Sequence, residues 1–233
     1  MSFFRTALVA ATVLVASAAA QAATVSYGTT PASSSTLTTG LMTTNFTTNL
    51  TVPKFDTSLG TLTSVAIDFA GSVNSTIAFE SKDAAPSTIT GTASATVTLT
   101  RPDNTQLAVA LPSNTRTAQE TAYDGITDFG GTSGDIFSNV SGSVTAATVT
   151  LTSASDLSLF SGAGNILLPV TGAGSSSVSG AGNIVSQITT QAAGSAYVVY
   201  TYNAVPAAVP EPASMALLGA GLTGLGLMRR RKA

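Results

Sequence analysis

Asp124, Asp128 and Asp135 lie in the Gly-rich stretch Asp-Gly-Ile-Thr-Asp-Phe-Gly-Gly-Thr-Ser-Gly-Asp and are the best candidates for chemistry in this sequence. Carboxylates on a bending loop supply the hard oxygens that Ca²⁺ takes as ligands, and glycine permits the turns that would make them converge. Their spacing matches neither an EF-hand nor the nonapeptide calcium repeat. The competing reading is plain turn chemistry, because Asp in such loops accepts bonds from its own backbone.

Two further carboxylate pairs, Glu80 with Asp83 and Glu120 with Asp124, have the residue types a glycosidase uses. That reaction depends on the carboxyl separation, which a sequence does not give. The chain has no Trp to stack a sugar ring and no Ser-x-x-Lys element before Lys54 or Lys82, the two lysines outside the tail. It also has no Cys and no His. Disulfides, thiolate metal sites, Cys nucleophiles and the Ser-His-Asp arrangement are therefore excluded. The reading is a protein without enzymatic activity.

The elements that would position these residues are strands. Charged residues make up only 9% of the 233 residues, far below the usual quarter, and Thr, Ser, Ala and Gly take their place. Short alternating runs recur: Val65, Ile67 and Phe69; Val97 and Leu99; Leu107, Val109 and Leu111; Val149 and Leu151. Each places apolar side chains on one face and polar or small ones on the other, as half-buried antiparallel strands require. Asp68 alternates with core positions and is expected on the solvent side. Turn signals separate the runs, among them Pro102 to Asn104, Asp124-Gly125 and Gly130-Gly131. The expected fold class is all-β, an antiparallel β-sandwich. The hexapeptide Ser-Gly-Ala-Gly-Asn-Ile occurs at 161–166 and 179–184, and is read as two similar turns feeding paired strands. The uncharged strand from Tyr197 to Tyr202 must be central or covered, since nothing guards it as an edge.

Both ends carry different signals. Arg5, the apolar run from Ala7 to Ala16 and the small residues Ala20 and Ala22 follow the secretory pattern, with cleavage expected after Ala22. At the other end, Val209, Pro210, Glu211 and Pro212 form a stiff extended stretch. An uncharged run over 213–228 follows, then Arg229, Arg230, Arg231 and Lys232. As a helix that run is about 24 Å long, against a hydrocarbon core of about 30 Å. The basic cluster acts as a stop-transfer signal retained in the cytoplasm. This physics alone supports a C-terminal anchor as readily as a removable tag.

The domain reading is thus a signal peptide over 1–22, a β-sandwich surface domain over 23–205 and a linker with tail over 206–233. The body carries four basic residues (Lys54, Lys82, Arg101 and Arg116) against ten acidic ones, a net charge near −6. It has no basic patch for phosphates, so nucleic acid is not an expected partner.

The tail, with Pro210, Glu211 and Pro212 before a short apolar helix and a basic cluster, resembles the PEP-CTERM sorting signal. That resemblance implies an exported protein that passes through the inner membrane by way of the general secretion machinery. It also implies processing by exosortase near Pro-Glu-Pro, then residence at the cell surface or in an extracellular polysaccharide or biofilm matrix. The stretches Val52 to Val73 and Tyr123 to Asp135, with the late Tyr-rich strand, resemble the choice-of-anchor E type of surface domain, which implies no catalytic residues. The alternative function is a calcium-dependent carbohydrate-binding or adhesion module built on the Asp124 to Asp135 loop.

Overall fold

Alternation of Thr or Ser with Val, Ile, Leu or Phe builds two antiparallel sheets that face one another. The computed structural model describes residues 22–28, 37–205 and 219–223. Residues Ala22–Asn203 make one compact unit. Its strands in chain order are β1 (Ala22–Gly28), β2 (Met42–Thr43), β3 (Phe46–Pro53), β4 (Gly60–Ser81), β5 (Ser87–Thr100), β6 (Gln106–Ala110), β7 (Ser113–Glu120), β8 (Gly134–Thr145) and β9 (Val149–Leu151). Helix α1 (Ala154–Phe160) follows, then β10 (Asn165–Gly174), β11 (Ser177–Ser179) and β12 (Ile184–Ala204).

The first sheet runs β1-β12-β4-β8, with β2 on β12 and β9 on β4; the second runs β11-β5-β10-β3, with β6 and β7 on β5. The period-2 reading holds along the long strands. Val65, Ile67, Phe69, Val73, Ile77 and Phe79 of β4 point inward and are essentially unexposed, as are Ile89, Val97 and Leu99 of β5. Asp68 lies on the other face and accepts a hydrogen bond from Thr148 Oγ1. Leu151 is buried and Val149 packs against the core.

Two expectations are corrected. In β6 it is Ala108 and Ala110 that are buried, while Leu111 is 64% exposed. A large residue at 110 would meet the opposite sheet, because Ala110 Cβ already crowds Gly71, at 2.8 Å from where a Cβ there would sit. The twin hexapeptides do not feed paired strands, since β10 and β12 belong to different sheets. The strand from Tyr197 to Tyr202 is flanked by β1 and β4, so it is interior to its sheet.

Small residues let the sheets close over large ones. A Cβ on Gly91 would meet the Phe137 ring at 2.9 Å, and one on Gly194 would meet Val170 at 2.9 Å and Phe69 at 3.1 Å. Where a polar side chain enters the core it is bonded. Ser75 donates to Thr190 Oγ1 (3.0 Å), Thr190 donates to Ser176 Oγ (2.8 Å), and Ser176 Oγ accepts from Ser94 N (3.0 Å). These hydroxyls tie the first sheet to the second through its central strand, β5.

Candidate functional site

β4 and β12 each run the full length of the body, so the chain has two ends with different chemistry. At the first end, Thr63 Oγ1 donates to Thr201 O, which sets the start of β4 beside the finish of β12. Aromatic rings close it. Phe55 packs 6.1 Å from Tyr200 and 5.0 Å from Tyr202, and Phe160 lies 6.4 Å from Tyr200, centroid to centroid. Tyr200 Oη donates to Pro53 O at 2.7 Å, giving the buried phenol a partner. Helix α1 is capped by Ser153, whose hydroxyl accepts from Asp156 N at 3.2 Å. Arg101 reaches Asp156 at 2.6 Å. That ion pair holds the turn after β5 against α1. Asp56 and Asp103, both on exposed turns, accept from Ser58 N and Thr105 N, and those backbone bonds hold both carboxyls below their usual range.

The second end carries the candidate loop, residues 121–133, between β7 and β8. Glu80 organises it. This carboxylate is fully buried. Its Oε2 accepts from Phe129 N at 2.9 Å and its Oε1 from Ser133 Oγ at 2.5 Å. Gly134 is required beside it, because a side chain there would strike the carboxylate and Gly130 N. Phe129 is held at φ 60°, a left-handed conformation that is strained for an aromatic residue. The Glu80 bond to its N–H helps hold it there. Glu120, 9% exposed at the end of β7, has its carboxyl pushed up by burial first, then by the charges of Asp135 and Glu80. Asp83 accepts from Gly182 N and Asn183 N at 2.8 and 3.0 Å, binding the β11–β12 turn to the β4–β5 turn. Tyr123 N donates to Asp83 O, and Lys82 lies 5.9 Å above the Tyr123 ring. Three turns are thereby knitted into one end.

The three sequence candidates in this loop are placed but not gathered. Asp124 Oδ1 accepts from Ile126 N (3.0 Å) and Oδ2 from Thr132 N (3.4 Å), and the first of these chiefly holds its carboxyl below the usual range. Asp128 Oδ1 accepts from Gly130 N (3.0 Å), and Asp135 Oδ1 from Ile136 N (2.7 Å). Each carboxylate serves its own turn or strand start. Among the described residues, no group of three or more acidic side chains is disposed to hold a metal ion. The sequence pairs Glu80 with Asp83 and Glu120 with Asp124 become four separate tasks, and Glu80 is the residue whose importance was hidden. Its only sequence signal is a charge following the inward-facing Phe79 where the alternation of β4 breaks down. A shallow depression elsewhere, lined by Leu41, Ser72, Val73, Asn74, Ser141, Gly142 and Ser143, contains no titratable side chain.

Of the terminal signals, Ala22 opens β1 and pairs with Asn203. Ala20, Val209, Pro210, Glu211, Pro212 and Arg229 to Lys232 lie outside the described residues, as do most of 1–22 and of 213–228. Residues 219–223 are helical, and Thr223 Oγ1 donates back to Gly219 O at 2.9 Å. Among the described residues, no helix is long and apolar enough to cross a membrane.

Comparison with known proteins bears mainly on the tail. No curated protein matches the sequence. Among solved structures, the T13 IBDV viral particle is similar at 12% identity and a TM-score of 0.25, over 92% of this chain and 48% of that one. The infectious bursal disease virus Gt strain is similar at 16% identity and a TM-score of 0.13, over 88% and 48%. The chain spans about half the length of these structures, and likeness this weak carries no argument. Residues 208–232 match the PEP-CTERM protein-sorting motif. The motif implies an exported protein with a C-terminal sorting signal recognised by exosortase.

Proposed function

We propose that the chain is a non-enzymatic surface or matrix protein whose β-sandwich body is the cargo and whose tail is the address. The general secretion machinery carries the body across the inner membrane after a signal peptide ending at Ala22. The apolar run over 213–228 and the cluster Arg229 to Lys232 hold it there transiently. Exosortase then cuts near Pro210 to Pro212 and delivers the body to the cell surface or an extracellular polysaccharide matrix. The observation that carries this reading is the sorting motif at 208–232 directly behind a compact β unit that ends at Asn203. The body is of the choice-of-anchor E type on this reading, and its role is structural or adhesive.

Calcium-dependent carbohydrate binding by the Asp124 to Asp135 loop has less support, because each of those carboxylates is already engaged by backbone N–H groups. The test is intact mass of the protein from its native host, in membrane and extracellular fractions. A species lacking 1–22 and everything beyond about Pro210 is expected outside the cell. Recovery only of membrane species that keep Arg229 to Ala233 would make the tail a permanent anchor and remove the matrix reading.

A further inference from the structure

The flank of β12 that faces away from β4 is covered by two separate pieces of chain. β1 takes the first part, from Ala22 opposite Asn203 to Gly28 opposite Tyr197. Residues 37–43 take the next. Ala196 N donates to Leu37 O, Thr38 bridges Ser195, Thr39 N donates to Gly194 O, and Met42 and Thr43 pair with Ala192 and Gln191. Both pieces run antiparallel to β12, and Gly28 and Leu37 stand at consecutive positions along it. One ladder step is about 3.3 Å, yet eight residues, 29–36, lie between them. Those residues, Thr-Thr-Pro-Ala-Ser-Ser-Ser-Thr, carry no charge and no bulky apolar side chain. The ladder has no use for them, since Gly28 joined directly to Leu37 would continue as one strand. Extended, they reach about 27 Å.

What β1 gives the body is mainly backbone pairing. Its Ala22 and Thr24 are exposed and its Ala23 and Val25 half-buried, whereas Val198 and Tyr200 of the facing stretch are fully buried. Tyr200 is held by groups outside β1, namely Phe55, Phe160 and Pro53 O. Without β1, residues 197–202 would be an uncharged, Val- and Tyr-rich edge, which accepts an added strand of matching pattern. The matching strand always at hand is β1 of another copy, identical in sequence and register. β1 is also the first strand of the body, so it lifts away without unthreading any other element.

We propose that β1 is exchanged between copies: it leaves its own β12 and pairs with Tyr197 to Asn203 of a second copy, with 29–36 as the tether. Each copy then gives one strand and takes one, so the link closes as a pair or runs on from copy to copy. The proposal rests on the signal-peptide reading for one thing, the free end at Ala23. A chain's own β1, on a short tether, acts at an effective concentration on the order of millimolar. Exchange is therefore a minor form in dilute solution and grows in proportion to concentration, as on a crowded surface.

The chain from Ala23 to Ala233 in detergent has that free end by construction and contains no Cys. Thr24→Cys and Thr201→Cys stand opposite one another in the ladder. The two single variants are mixed in equal amounts, incubated at rising concentration, oxidised and run on a non-reducing gel. A mixed 24–201 disulfide forms where β1 of one copy lies on β12 of the other. Its yield should rise in proportion to concentration and stay several-fold above the dimers of either variant alone. Deleting 29–36 from both variants should leave the melting temperature nearly unchanged and cut the mixed disulfide about tenfold, because the joined strand no longer reaches a second copy. The deletion keeps the tail, so contacts made through detergent micelles cancel in the comparison. Mixed disulfide no higher than the single-variant background, while the doubly substituted chain oxidises internally, would overturn the exchange. Undiminished mixed disulfide in the deletion would overturn it too, and a deletion that unfolds would show that the fold itself needs 29–36. A native N-terminus other than Ala23, read by intact mass, would overturn the signal-peptide reading whatever the gel shows.

Discussion

Glu80 is a fully buried carboxylate with no cation among its hydrogen-bond partners, and replacing it separates the value of its bonds from the value of its charge. In Glu80→Ala, the Phe129 N–H loses its acceptor, and an orphaned buried donor costs about 1–3 kcal/mol. Ser133 hydroxyl loses its partner too, and the missing methylenes leave space worth about 1–2 kcal/mol. Against this, a carboxylate no longer has to be desolvated beside Glu120, which returns part of the cost. The net expectation is a loss of about 2–4 kcal/mol. Glu80→Gln keeps an acceptor for Phe129 N–H, and its amide donates to Ser133 Oγ while the negative charge disappears. It should lie within about 1 kcal/mol of the parent. Urea unfolding of the body, residues 23–205, measures both values, and hydrogen exchange at the Phe129 amide reports the bond itself. If Gln is as damaging as Ala, charge and not bonding holds the loop. If Ala costs under about 1 kcal/mol, Glu80 is not the loop's organiser.

Other outcomes follow from single sites. Glu120→Gln should raise the melting temperature at pH 7 and make little difference near pH 3. Its carboxyl is pushed up in the fold, so its contribution is fully present below the ordinary carboxylate range and is lost as pH rises through the folded value; a gain confined to low pH contradicts this. Asp124→Asn should have the opposite profile, with stability lost above pH 4 and parity in acid, because the folded carboxyl is held low. Gly172→Val should cost about 1–3 kcal/mol in urea melts, since the Phe46 ring lies across that glycine in the β3–β10 pair; a neutral result would show that the ring swings away freely. EDTA should leave the melting temperature unchanged, whereas a chelator-dependent fall would restore the calcium reading.

Sequence periodicity carried the fold where one face of a strand is apolar and the other is Thr, as along β4 and β5. It failed at β6 because Leu107 and Val109 outweigh Ala108 and Ala110 in any apolar pattern. The space facing β6 is set by Gly71 across the interior, with Val97 beside Ala110 in the same sheet, and only a small side chain fits it. The same limit applies to the loop. Asp124 and Asp128 are legible as turn residues because their bonds are local, two positions along the chain. Glu80 is not, because its partners Phe129 and Ser133 are 49 and 53 residues away. The Ser75–Thr190–Ser176 hydroxyl chain was invisible for that reason too. The tail signal, by contrast, is read in the order of the chain and needs no folding partner to be recognised.

That difference bears on how the tail must work. The linker over 205–209 has five residues between the end of β12 and Pro210, a span of about 17 Å when extended. On the proposed reading, a protease acting at Pro210 to Pro212 has no more than this linker between its bond and the folded body. Deleting Val205 to Ala207 removes more than half of that span without touching the matched residues 208–232 or the sheet. The unprocessed membrane form should then accumulate in the native host, and replacing the three residues with Gly-Ser-Gly should restore processing. Normal processing of the deletion would mean that the body is not folded against β1 when the tail is cut. Defective processing of both variants would mean that the linker is read for its sequence and not for its reach.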